Sequence, residues 1–79
     1  MRRLTFYTRE RCGLCHEALA IVERVRAAHP CVLEVKDLDR DAPADKRAAY
    51  DHEVPVLELD GQKVMKLRFD EARLLRLLG

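Results

Sequence analysis

The stretch ERCGLCHEA at residues 10–18 sets Cys12 and Cys15 two residues apart and places His16 directly behind them. That spacing serves a redox dithiol, half of a zinc site, or thioether attachment of a haem with an axial histidine. A zinc site needs four ligands, and His16, His29, Cys31 and His52 offer no second pair of matching spacing. Haem attachment calls for export, yet MRRLTFYTRE carries Arg2 and Arg3 with no apolar run behind them. The dithiol is the reading that the flanking elements favour.

Leu4-Thr5-Phe6-Tyr7 is aromatic and β-branched and stops at the polar Thr8-Arg9-Glu10-Arg11, which predicts a first strand and a loop. From Leu14, apolar Ala18, Ile21, Val22 and Val25 recur at helical spacing until His29-Pro30, where the proline ring disfavours helical geometry in the residue before it. Cys12 then falls in the loop and Cys15 in the first helical turn. Unpaired amides and the positive end of the helix dipole favour a thiolate there, lowering a cysteine pKa from about 8.5 to about 7 or below. Each unit of that shift is worth about 1.4 kcal/mol. Residues three apart face the same way at bridging distance. Cys12, the more exposed by position, is assigned as the attacking thiolate and Cys15 as the resolving thiol. Arg9 and Arg11 are close enough in sequence to add positive potential. His16 is a candidate for tuning the thiols as it charges near neutrality, against the plainer reading of a solvent-facing helix residue.

Cys31 to Val35 reads as a second strand, and strand, helix and strand in this length make a right-handed βαβ unit with parallel strands. Asp37, Asp39 and Asp41 form an acidic run read as a solvated turn, since it lacks the glycine and terminal glutamate of a calcium loop. Residues 43–50 are compatible with a short helix. Strands over 55–59 and 63–67 flank Asp60-Gly61, a dipeptide suited to a tight hairpin. Asp70 is placed to cap a closing helix, with Phe69 stapled onto Leu74, and Leu75 and Leu78 continuing its apolar face. Cys31 is expected as a buried small apolar side chain. At Val54-Pro55 a cis peptide would leave the backbone N–H and carbonyl of Val54 free to pair with a bound peptide.

YTRERCGLC followed by EVPVLELDG resembles the glutaredoxin branch of the thioredoxin-like superfamily, and the likeness runs through FDEARLLRLL. It implies a β-α-β-α-β-β-α fold of the α/β class, with a four-stranded mixed sheet flanked by helices in one domain over residues 1–79. It implies Cys12 as nucleophile, Cys15 as resolving cysteine, and Pro55, with Val54, as the cis-proline turn facing them. Arg9 falls where glutaredoxins carry a lysine that contacts the thiolate and the glutathione carboxylate. The chain departs from the family at Gly13-Leu14, which replaces Pro-Tyr, and at Met65-Lys66-Leu67-Arg68, which replaces the Gly-Gly and Asp that hold glutathione. The expected activity is thiol–disulfide exchange or reduction without a bound cofactor or metal. A protein disulfide is favoured over glutathione as partner, and a cellular reductant is needed to recycle the dithiol. The rivals are an adaptor module with an incidental dithiol and an iron–sulfur cluster carrier.

Composition is consistent with this. The chain has 79 residues, 48% of them hydrophobic, enough for one small core. Fifteen Lys and Arg stand against 14 Asp and Glu, with the signs interleaved, so no single-sign field points to nucleic acid or an anionic membrane. An odd cysteine count of three is a poor secreted scaffold. A cytosolic monomer is expected.

Overall fold

The computed structural model describes residues 1–79. Eight elements follow in order: β1 Arg3–Thr8, α1 Gly13–Ala28, β2 Val32–Asp37, α2 Leu38–Asp41, α3 Ala44–Tyr50, β3 Val56–Leu59, β4 Gln62–Lys66 and α4 Glu71–Leu78. The sheet order is β2-β1-β3-β4. β1 runs parallel to β2 and antiparallel to β3, which is antiparallel to β4. This is the mixed four-stranded α/β architecture expected from the sequence.

Alternation along β1 divides the core. Leu4 and Phe6 pack with Cys15, Ala18, Val22 and Val25 of α1 and Leu74 of α4. Tyr7 points the other way, into a smaller cluster with Leu38, Ala42, Tyr50 and Val56. Burying a side chain such as Phe6, Leu57 or Leu74 contributes about 1.5–3 kcal/mol. Asp70 caps α4 by accepting the Arg73 amide at 3.1 Å. Phe69 meets the ring of Phe6 edge-on, at 5.8 Å between centroids. At the hairpin, Asp60 and Gly61 take φ of 51° and 88°, the left-handed pair that a tight turn between twisted strands demands.

Some local expectations change. The acidic run is not a plain turn: the Asp37 carboxylate accepts the amides of Asp39 and Arg40 at 2.8 and 3.3 Å and starts α2. Burial of Leu38 supplies the packing that the sequence pattern underrates. Pro43 stands before α3 rather than inside it. Cys31 precedes β2 and is buried. Leu67 leaves β4 at φ 61° instead of extending it.

Glu58, within strand β3, is only 3% exposed. Its carboxylate accepts from Lys46 Nζ at 2.7 Å and from the Tyr50 hydroxyl at 2.8 Å. A buried charge is tolerable only with such partners. Burial first, and then the bond to Glu58, push the Tyr50 hydroxyl up to about 12. The bond to Glu58 also raises Lys46 above the ordinary lysine value. In both groups the fold prefers the protonated form. Their contribution is therefore intact below the unfolded tyrosine value of 10.0 and is lost as pH climbs towards about 12. Urea midpoints measured across that interval will fall with rising pH, and Tyr50→Phe will fall less steeply because only Lys46 then titrates against Glu58.

Candidate active site

The end of β1 leads directly into the dithiol. Thr8 closes the strand, and Arg11, at φ 60°, turns the chain through the left-handed region so that Cys12 becomes the residue ahead of α1. Cys12 and Cys15 are joined by a disulfide, with Cα atoms 5.3 Å apart. The Cys15 amide reaches back to the Cys12 carbonyl at 3.2 Å. The amides of Gly13 and Leu14 donate to no protein acceptor. No acidic residue occupies the first turn of α1, so nothing there offsets the positive end of the helix dipole.

The two sulfurs stand in different surroundings. Cys15 is 6% exposed and occupies the core stripe with Ala18, Val22 and Val25, while Cys12 is only half-buried. Leu14, which opened the apolar stripe in the sequence, stands beside that stripe. Approach from outside is therefore to Cys12.

Arg9, Glu10, Arg11, Cys12, Cys15 and His16 line one depression of about 250 Å³, together with Phe6, Thr8, Leu19 and Val35. Within it, Arg9 is not a free cation. Its guanidinium donates to both Asp39 carboxylate oxygens at 2.7 and 3.0 Å, to the Asp51 carboxylate at 2.9 Å and to the Asp51 carbonyl at 2.6 Å. Two carboxylates offset its charge, so the expected addition of positive potential at the sulfurs is corrected for this residue. The bond from Arg9 holds the Asp39 carboxyl below the usual carboxylate range. The Arg11 guanidinium makes no hydrogen bond or ion pair, and neither does the exposed His16 imidazole.

Val54 and Pro55 do not line that depression. They reach the same end of the sheet through β3: Tyr7 pairs with Val56, so the turn before Val56 lies beside the end of β1. The Val54–Pro55 peptide is cis. Pro55 is buried, and its carbonyl accepts the Leu67 amide at 2.8 Å. The backbone N–H and carbonyl of Val54 are used by no protein group. Arg9 thus ties the loop before Cys12 to Asp51, three residues ahead of Val54. The acidic run is the one sequence signal for Asp39 as its partner, and nothing in the sequence points to Asp51.

A family model, Glutaredoxin-like domain (DUF836), matches residues 3–79. The chain belongs to this family. Protein Ne2328 from Nitrosomonas europaea, solved in solution, superposes with a TM-score of 0.83 at 26% identity, covering 99% of this chain and 92% of its own. The X-ray structure of target protein XcR50 from X. campestris gives 0.72 at 32% identity, over 95% and 93% of the two chains. A mutant thioredoxin from Halobacterium salinarum gives 0.69 at 26% identity, over 98% of this chain and 71% of that one. Among curated proteins nothing matches. No helix of this glutaredoxin-like chain is long and apolar enough to cross a membrane, and no three His, Cys, Asp or Glu side chains gather as a metal-ligand set.

The bonds from Arg9 make a clear stability test, because a network of charge-assisted bonds is worth more than an isolated surface pair. Arg9→Met will speed amide hydrogen exchange in residues 10–15 and 51–54 and lower the thermal midpoint by a few degrees. Asp51→Asn, which keeps the bond to its own carbonyl, will fall between Arg9→Met and the parent.

Proposed function

We propose that this protein is a thiol–disulfide oxidoreductase that works through Cys12 and Cys15 without a bound cofactor. The observation that carries the reading is the pairing of an accessible sulfur, at an uncapped helix start, with a buried partner sulfur in bonding range. In the reduced form, the Cys12 thiolate attacks one sulfur of a substrate disulfide. The substrate S–S bond breaks, a Cys12–substrate disulfide forms, and the departing thiolate takes a proton from solvent. Cys15, deprotonated, then attacks the Cys12 sulfur, releases the second substrate thiol and closes the Cys12–Cys15 bond. Two electrons pass to the substrate, and an external thiol reductant returns two to the protein.

The vacant backbone groups of Val54, beside the end of β1, suit an extended substrate segment that pairs as a short added strand. A protein disulfide fits better than glutathione as partner, because Met65, Lys66 and the Leu67 side chain occupy the stretch where glutaredoxins carry glycines. Arg11 is the cation left free to act on the substrate or the thiolate, and Arg9 contributes by fixing the loop. The proposed setting is a cytosolic monomer served by a cellular reductant.

Turnover of a mixed disulfide is the test, run with glutathione and separately with thioredoxin reductase. Cys12→Ser will be inactive. In Cys15→Ser the Cys12 thiolate will still attack the substrate disulfide, and without a resolving thiol the covalent adduct will accumulate, visible by mass spectrometry. Equal rates for parent and both variants would instead favour an adaptor role. In the reduced protein, the alkylation rate of Cys12 will show a midpoint below the value of about 8.5 for free cysteine.

A further inference from the structure

A groove of about 320 Å³ runs between β4 and the start of α4, and its charge is lopsided. Lys63, Lys66, Arg68 and Arg73 line it against a single carboxylate, Asp70, whose oxygen is already committed to the Arg73 amide. Lys63 and Lys66 share Glu53, at 2.8 and 3.5 Å, so their charge is partly answered. Arg68 has no hydrogen bond or ion pair at all, and the Arg73 guanidinium makes only one bond, 2.6 Å to the Val64 carbonyl. That bond holds Arg73 at the groove wall and occupies a carbonyl of edge strand β4. In a chain whose formal net charge is only +1, such a concentration is local.

The groove also connects to the dithiol. Arg68 borders a second, smaller depression lined by Leu14, Ala18, Ile21, Leu67 and Phe69, with Glu17 as its one carboxylate. Leu14 lies between the two cysteines. Leu67, in turn, is tied to the cis-proline turn through the Pro55 carbonyl. A chain whose disulfide lay over Cys12 would reach the Arg68 side of the molecule by crossing Leu14 and Leu67.

We propose that this basic groove is a docking site for an acidic segment of the disulfide-bearing protein partner, with Arg68 as the main specificity cation. The proposal rests on the oxidoreductase reading for the partner's disulfide. Charge complementarity selects the occupant: the unpaired guanidiniums suit carboxylate side chains. A nucleic acid is disfavoured, because no aromatic side chain lines the groove for base stacking.

The test separates docking from chemistry. Two short peptides, one rich in Glu and one with Gln at the same positions, carry Ser in place of Cys and a neutral dye, and their binding to the oxidised protein is followed by anisotropy. The Glu peptide will bind about tenfold more tightly at low salt, and high salt will erase the advantage. Arg68→Glu will remove most of that advantage. Arg76→Glu, which makes the same change in net charge outside the groove, will keep it. Equal affinity for the two peptides overturns the proposal, as does an equal loss in both variants or preferential binding of a short oligonucleotide. Cysteine-containing versions of the peptides then read turnover. Selective binding of the Glu peptide with turnover of neither version would retain the groove's occupant and overturn the oxidoreductase reading instead.

Discussion

Strand β1 pairs on both sides, and the site follows from that constraint. On one side it is parallel to β2, which obliges the connecting chain to leave at the end of β1 and cross back as α1. The N-terminus of α1, with its free amides, is thereby fixed at the sheet end where β1 stops. On the other side β1 is antiparallel to β3, so the start of β3 lies at that same end. Cysteines and proline turn, about forty residues apart in the chain, become neighbours of one strand end without any direct bond between them.

Two kinds of interaction then set the local detail. Packing distinguishes the cysteines: α1 lies with Cys15, Ala18, Val22 and Val25 against the sheet, which draws one sulfur into the core and leaves the other at the rim. Polar bonding fixes the loops. The Arg9 guanidinium spans the loop before Cys12, the first turn of α2 and the turn after α3, holding together segments that have little apolar surface of their own. An arginine's planar fork suits this role, since its donors can serve two carboxylates and a carbonyl at once.

The opposite face of the sheet solves a different problem. With α2 and α3 so short, the layer covering Tyr7 and Val56 is thin, and it includes the buried Glu58 carboxylate. Lys46 from α3 and the Tyr50 hydroxyl satisfy that charge, while the Lys46 ammonium also lies 5.6 Å from the centre of the Tyr7 ring. Desolvation makes this cluster costly to break, so it joins α3 to β3 more specifically than apolar contact alone.

The sequence by itself determined the order of every element but α2, the helix start at the cysteine pair, the hairpin at Asp60-Gly61, the cap at Asp70 and membership of the glutaredoxin-like family. These depend on short-range rules of periodicity, turn geometry and capping, which nearby residues write in full. Tertiary structure alone decided that Arg9 belongs to Asp39 and Asp51, that Glu58 is buried with Lys46 and Tyr50, that Leu38 makes a helix of an acidic run, and that Arg68 is left unpaired. Each of those outcomes is a choice among several charged or apolar partners of similar type. Local sequence cannot rank such partners, because the choice depends on which of them the sheet brings within reach.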